Sequence, residues 1–339
     1  VHYNGESVTD TYWALRKNAA LYDVPERPIE ISGPDVVNFL NLIFSRRIEK
    51  LKIGRGYYSI SCTSDGGMFM DGILFKLSDD RFWFVQPDGD MNTWLLAHKH
   101  DFNVEISDPN SRVLQLQGPS SLKIMEAASE GQIDLNFKYF NSGFFMIDGQ
   151  EVYVSRTGWS GELGYEIYTQ GDKTDCPALW NYLLKVGMPN GILFSSMQSI
   201  NIRRIEAGIL DSGSDFDTTM TPFEAGLGKF VDLTKEAFIG REALLKLNTP
   251  RETRIYGVQC EEFTPQGDFK IFDGENEVGF VTTGAYSPFL KTGIGYVRFN
   301  SISNWDGKKL TMQTVDKQLF SCEILSLPFY DKEKKLPRM

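Results

Sequence analysis

Asp71 is the first residue placed to do chemistry, within Gly66-Gly67-Met68-Phe69-Met70-Asp71-Gly72-Ile73-Leu74. Met68, Phe69, Met70, Ile73 and Leu74 leave it a lone carboxylate in an apolar strand. An ionised carboxylate there is costly unless paired, so burial must raise its pKa or a ligand cation must satisfy it. A group in that state exchanges or orients a proton near neutral pH. The same pattern also suits a strand-end aspartate bonded to turn amides, and both readings stand at this point.

The second candidate is Thr157-Gly158-Trp159-Ser160-Gly161-Glu162-Leu163-Gly164-Tyr165-Glu166-Ile167-Tyr168. Its three glycines make a tight loop where backbone can approach a ligand closely. Period-2 alternation then sends Glu166 to one face and Tyr165 and Ile167 to the other. A carboxylate beside aromatic walls suits a flat heterocycle with two adjacent N–H donors, such as the amino-pyrimidinone edge of a pterin. A surface hairpin with a solvated glutamate would read alike. The third candidate, Ile202-Arg203-Arg204-Ile205-Glu206-Ala207-Gly208, has helical spacing and ends near Gly208. One arginine can face a carboxylate ligand while the other pairs with Glu206 or meets solvent; structural ion pairing is the commoner fate. Asp215-Phe216-Asp217 and Thr221-Pro222-Phe223-Glu224-Ala225-Gly226-Leu227 form a dense polar-aromatic loop, of a kind that often lines sites.

Other chemistries have little to work with. The only histidines are His2, His98 and His100, none of them in a motif, so a Ser-His-Asp triad or multi-His metal site has a thin stock. Cys62, Cys176, Cys260 and Cys322 are far apart with no C-x-x-C pair, which predicts a reduced cytosolic protein without a metal cluster. The net charge of −10 argues against nucleic-acid binding, although Ser45-Arg46-Arg47 can gather local positive charge for an anionic ligand. No run approaches ~18 apolar residues, so no membrane span is expected, and Val1-His2-Tyr3-Asn4-Gly5 lacks a signal-peptide pattern.

The 339 residues are enough for two or three domains. Residues 9–20 read as a helix, and Asp23-Val24 begins extended chain. Gly33-Pro34-Asp35 starts a second helix, with Asp35 at its N-terminus. Strands follow at Tyr57-Tyr58-Ser59-Ile60-Ser61, Met68 to Leu77 and Arg81 to Gln86, the first two joined by the hairpin turn Asp65-Gly66-Gly67. A helix near 89–100 closes this unit. A similar order recurs: strand 113–117, helix 120–128, strands 143–147, 151–156 and 165–169, helix 176–186. After Thr249-Pro250 short strands alternate with Gly, Asn and Asp turns. The expected fold is α+β, with two antiparallel ferredoxin-like units over 1–110 and 111–248 and a C-terminal β-barrel or jelly roll over 249–339.

Taken in order, these segments resemble the glycine-cleavage T-protein (aminomethyltransferase) superfamily across nearly the whole chain. The resemblance is carried by Tyr22-Asp23-Val24, the Gly66-Gly67…Asp71 strand, Leu116-Gln117-Gly118-Pro119 and the 157–167 loop. It continues in Arg204-Ile205-Glu206-Ala207-Gly208, Pro222-Phe223-Glu224, Phe238-Ile239-Gly240-Arg241-Glu242-Ala243-Leu244, Ser287-Pro288 and Leu327-Pro328-Phe329. It implies a three-domain cloverleaf with tetrahydrofolate in a central channel. By position, Asp71 matches the family's catalytic aspartate and Glu166 the glutamate that grips the pterin edge. The family helix A-R-D-x-L-R-x-E-x-G reads Ser199-Ile200-Asn201-Ile202-Arg203-Arg204-Ile205-Glu206-Ala207-Gly208 here, so Ile200 stands for its first arginine. The usual aspartate pair is Met70-Asp71, and an expected asparagine is replaced around Pro87-Asp88.

These departures resemble the folate-dependent dimethylsulfoniopropionate demethylases, as do Lys52-Ile53-Gly54-Arg55-Gly56-Tyr57-Tyr58 and Tyr165-Glu166-Ile167-Tyr168. The expectation is therefore methyl transfer from a small sulfonium-like donor to tetrahydrofolate in a cytoplasmic monomer or homodimer. Asp71 would be catalytic, while Glu166, Tyr168, Arg204 and Tyr58 hold the folate. Trp159, Tyr168, Arg203 and Phe223 would hold the donor, since a cation without N–H groups is read by aromatic faces and diffuse charge. For Tyr57 and Trp83 core packing is the expected role. Two alternatives remain open: aminomethyl transfer in glycine cleavage, which requires a lipoylated carrier, and a folate-binding relative without transferase activity.

Overall fold

A computed structural model of the chain describes residues 3, 5–86, 89–247 and 250–339. His2, the Pro87-Asp88 pair and the boundary drawn at 248–249 lie outside the described residues. Helix α1 (Val8–Lys17) leads into strand β1 (Ala19–Val24), followed by β2 (Arg27–Ser32), α2 (Val36–Ile43), β3 (Arg55–Cys62), β4 (Met68–Ser78), β5 (Arg81–Gln86), α3 (Met91–His98) and β6 (Glu105–Ser107). Next come β7 (Val113–Gln117), α4 (Ser121–Ala128), β8 (Ser142–Ile147), β9 (Gln150–Ser155), β10 (Gly164–Tyr168), α5 (Cys176–Gly187), β11 (Ile192–Phe194), α6 (Met197–Glu206) and α7 (Arg241–Leu245). The final stretch holds β12 (Ile255–Cys260), β13 (Lys270–Asp273), β14 (Asn276–Ser287), β15 (Thr292–Phe299), β16 (Lys309–Gln313) and β17 (Leu319–Leu325).

The strands assemble as a five-stranded sheet β3-β4-β5-β2-β6, a six-stranded sheet β11-β1-β7-β10-β9-β8 and a closed barrel β12-β15-β14-β13-β16-β17. The α+β class is as expected, and the C-terminal part is a barrel. Two details differ from the sequence reading. Helix α1 stops at Lys17, and Ala19-Ala20-Leu21-Tyr22 is a fully buried strand in the six-stranded sheet. Helix-favouring alanines lose there to burial on both strand faces, because propensity is weak beside tertiary packing. That strand pairs antiparallel with β7 and parallel with β11, so the sheet is mixed and residues 19–24 cross the division expected at 110.

The two sheets face one another. Ala20, Tyr22 and Val24 of β1, Tyr153 of β9 and Tyr168 of β10 pack against Phe75 of β4 and Trp83 and Val85 of β5. Trp83 thus belongs to the core, and its Nε1 donates to Glu30 at 2.7 Å. Each sheet packs its other face on helices: Tyr165 and Ile167 of β10 meet α4 and α5, while Met70 and Leu74 of β4 meet α2 and α3. Alternation along β10 and β4 therefore turns Glu166 and Asp71 toward the inter-sheet side.

Helix α6 joins these layers to the barrel through buried charges. Glu206 accepts from the Tyr12 hydroxyl of α1 and the Ser287 hydroxyl of β14, both at 2.6 Å. Arg203 bonds Glu162 at 2.8 Å and approaches Glu206 at 3.4 Å. Arg16 lies 3.4 and 3.5 Å from the same two carboxylates, its guanidinium 4.3 Å from both the Phe289 and Tyr330 rings. Removing one partner of a buried ion pair strands the other charge in the interior. Glu206→Ala is expected to destabilise the fold by about 3–5 kcal/mol, and Tyr12→Phe by about 1 kcal/mol. Urea denaturation of both variants measures this, and equal small losses would contradict the joint's role.

Candidate functional site

Between the facing sheets, the 203–211 stretch and the 330–338 segment lies a cavity of about 660 Å³, within the roughly 300–1,000 Å³ usual for small-molecule sites. Asp71 is in its wall. Its strand partner is Ile60, which puts Tyr58 two residues along β3 on the same face, and the Tyr58 hydroxyl donates to Asp71 Oδ2 at 2.6 Å. The other oxygen, Oδ1, is buried with no protein partner. Asp71 is only 8% exposed, and burial lifts its carboxyl from the ordinary 3.8 to about 6, opposed by the Tyr58 bond and reinforced by the nearby negative charge of Asp211. It lies mid-strand, so the turn-bonded alternative does not describe it.

Glu166 also lines the cavity. Its Oε2 receives hydroxyls from Thr157 at 2.5 Å, Tyr168 at 2.8 Å and Ser155 at 3.4 Å, while its Oε1 receives the Gln115 amide at 3.0 Å. Burial raises its pKa and the hydroxyl bonds pull it back. A carboxylate oriented by several donors is a fixed acceptor for ligand N–H groups. Gly158 and Gly161 of its loop are in the cavity wall, and the loop glycines also serve packing. A Cβ at Gly158 or Gly164 would come within 2.1 or 2.3 Å of Gln117 Oε1. Gln117 fills that space and ties the loop together, its amide donating to Thr157 O and Tyr165 O while its Oε1 accepts from Ser160.

The remaining candidates divide. Tyr58, Trp159 and Arg203 line the cavity, and Arg203 Nη2 is buried without a hydrogen-bond partner. Tyr168 does not line it: the side chain is fully buried behind Glu166 against Phe75, Trp83 and Tyr153, so its contribution is to orient Glu166. Arg204 turns to the barrel, where Nη1 pairs with Asp215 at 2.5 Å and Nη2 reaches Thr283 at 3.1 Å. Arg204 is thus not among the cavity-wall residues, although its guanidinium lies 5.2 Å from the Trp159 ring. Phe223 packs on Gly228 and under the Arg251 guanidinium at 5.2 Å, away from the cavity wall. Tyr57, expected in the core, packs against it and also forms part of the wall beneath Arg46, whose guanidinium lies 4.0 Å from its ring.

Several wall residues were not among the site residues expected from the sequence. Arg55, Lys229, Lys334 and Arg338 join Arg46 in the wall. Lys334 is pushed down by burial and by the charges of Lys229 and Arg338, which marks these cations as neighbours. They come from β3, a loop and the last residues described, so no local spacing connects them; only Arg46 stood in a recognisable basic cluster. Asp211 was passed over for Asp215 and Asp217, both of which pair with arginines, Arg204 and Arg298.

A folded pKa above the unfolded value means that Asp71 favours folding while protonated, below about pH 4. That contribution is lost as pH rises through about 6. Asp71→Asn is expected to stabilise the protein at pH 7.5 by about 2–3 kcal/mol, from about 1.36 kcal/mol per unit, with the gain shrinking toward pH 4. Urea titrations at both pH values test this; a pH-independent difference would contradict it.

Two family models match the chain: the GCVT N-terminal domain over residues 1–235 and the glycine cleavage T-protein C-terminal barrel domain over residues 254–331. An aminomethyltransferase of Lysinibacillus sphaericus is 30% identical over 97% of this chain and 91% of its own. One from Halothermothrix orenii is 32% identical over 95% and 91%. The crystal structure of the glycine cleavage system aminomethyltransferase T from Bartonella henselae superposes with a TM-score of 0.85 at 24% identity, covering 96% of this chain and 90% of that one. These relatives support the superfamily resemblance and not closeness to the demethylase subgroup.

Proposed function

Because the chain belongs to the glycine cleavage T-protein family, we propose that its cavity is the site of one-carbon transfer to tetrahydrofolate. The family uses tetrahydrofolate, which, when bound, supplies the reduced pteridine nitrogen that accepts the one-carbon unit. The residues present fit such a ligand. Glu166 offers a preset acceptor for adjacent N–H donors. Asp71, a wall carboxylate with one oxygen left without a hydrogen-bond partner, is the observation that carries the reading and stands where positive charge would develop. With a pKa near 6, Asp71 is mostly ionised at neutral pH yet close enough to exchange a proton. Tyr58 fixes its orientation. The cations Arg46, Lys229, Lys334 and Arg338 suit the carboxylates of a glutamyl tail.

Aminomethyl transfer, the activity in the relatives' names, is the first reading of the donor side. A second reading, methyl transfer from a sulfonium or quaternary ammonium compound, is favoured by helix α6. Ile200, standing where the family pattern has an arginine, is packed in the inter-sheet core, while Arg203 one turn later reaches the cavity. Departure of a methyl from such a cation leaves a neutral thioether or amine, so the protein mainly has to hold donor and acceptor in line.

Purified protein given tetrahydrofolate should form methylene-tetrahydrofolate from a carrier-bound aminomethyl group, or 5-methyltetrahydrofolate from a sulfonium or betaine donor, as read by mass spectrometry. No folate product from any donor would refute the proposal. Asp71→Asn should slow transfer by about 10²–10⁴-fold with little change in folate binding. Glu166→Gln should weaken folate affinity about tenfold, roughly one lost charge-assisted bond, and change turnover less.

A further inference from the structure

Lys235 is a buried ammonium that one-carbon transfer does not itself call for. It is only 4% exposed, and its Nζ donates to the carbonyls of Asn41 and Phe44 at 2.6 Å and of Arg46 at 2.8 Å. An ammonium has three donors, so all of them are used. The nearby acids Glu49 and Asp232 pair with Arg47 instead. The three carbonyls belong to the end of helix α2 and the turn after it, where helix geometry leaves acceptors without partners. The Ser45 N–H, which would continue the helix onto Asn41 O, goes to Ile60 O of β3 at 2.9 Å. Lys235 takes its place.

The turn that carries Arg46 is gripped from both sides. Strand β3 holds the Ser45 N–H, while the Asp232 N–H donates to Ser45 O at 2.9 Å and the Ser45 hydroxyl to Phe230 O at 3.3 Å. Arg47 pairs with Asp232 at 2.8 Å, and Arg46 enters the cavity wall. The Arg46 guanidinium lies on the Tyr57 ring, and its Nη1 donates to Tyr58 O at 3.0 Å. Among the described residues no carboxylate lies within ion-pairing distance of it, so most of its five donors are left for a ligand carboxylate. Phe44 and Ser45 are fully buried, so water does not readily replace the ammonium behind them. Without Lys235 the three carbonyls lose their donor in dry surroundings, and the turn has to move to recover partners.

We propose that Lys235 is a positioning residue for ligand binding: by holding the carbonyls of Phe44 and Arg46 it aims the Arg46 guanidinium at a carboxylate of the bound ligand. Lys235 is not in the cavity wall. It touches neither ligand nor reacting atoms and acts only through Arg46. The inference rests on the reading of this cavity as a tetrahydrofolate site, and it deepens that reading by adding a residue behind the wall on which affinity depends.

The test is a double-mutant cycle on tetrahydrofolate affinity, measured by calorimetric titration of the full chain. Arg46→Met and Lys235→Met should each weaken binding about tenfold, roughly one charge-assisted hydrogen bond. The double variant should also be weaker by about tenfold and not a hundredfold, because Lys235 has nothing left to aim once Arg46 is gone. A merely structural lysine would lower stability in urea without this dependence on Arg46. Lys235→Gln keeps two donors without the charge and covers the case in which the methionine variant fails to fold. It should cost about threefold in affinity, again only while Arg46 is present. Native affinity in the folded Lys235 variants, an Arg46→Met protein that binds as the native one does, or the same Lys235 loss in both backgrounds would each overturn the inference and leave the folate reading standing. A native protein that does not bind tetrahydrofolate at all would remove the folate reading and the inference with it.

Discussion

Four charges sealed from water at one joint set the geometry on which the rest depends. Arg16, Glu162, Arg203 and Glu206 come from the first helix, the glycine-rich loop and helix α6, and barrel residue Ser287 completes the bonds of Glu206. Taking such ions out of water is expensive, and their mutual attraction offsets the cost only when the geometry is good and the spare hydrogen bonds are filled. Two positive and two negative groups balance in charge here, with rings of Phe289 and Tyr330 covering Arg16, although Arg16 Nη1 and Arg203 Nη2 have no hydrogen-bond partner. The arrangement holds α6 in one orientation. The residues that follow it, Ala207 to Asp211, then become cavity wall rather than surface loop.

A second constraint acts within the cavity. The facing sheets are apolar over most of their contact, so a charged group turned to that side needs a partner or bears the cost of lost hydration. Glu166 finds three hydroxyls and an amide. Asp71 finds one hydroxyl, and its raised pKa expresses what is missing. Cations collect instead around Lys334, although the whole chain carries a net charge of −10. This separation of sign inside one cavity suits a ligand with anionic groups at one end and a site of developing positive charge at the other.

Some of this was legible from local pattern. A carboxylate among Met68, Phe69, Met70, Ile73 and Leu74 is buried wherever its strand is buried, and alternation in a strand settles which residues share the Glu166 face. The Asp65-Gly66-Gly67 turn and the Gly208 helix stop were readable too, because turns and caps depend on a few adjacent φ values; Gly66 and Gly208 have φ of 90° and 65°. The two arginines were not separable in that way. Adjacent helical residues differ in direction by about 100°, and which direction meets the cavity depends on where the barrel sits. Tyr168 shares a face with Glu166, yet it stands behind that side chain because β10 is the middle of a sheet covered on both sides.

The sequence by itself therefore determined the α+β class and the family, and it singled out Asp71 and Glu166 while leaving their burial open, since periodicities and motifs are contained in short segments and burial is not. Tertiary structure alone decided that Arg203 and not Arg204 reaches the cavity, that Phe223 does not, and that Asp211 joins Asp71 in the cavity wall. It also decided that the alanine-rich stretch after Lys17 is a strand. Each of these is a relation between segments far apart in the chain, fixed by the buried charges and sheet contacts that bring those segments together.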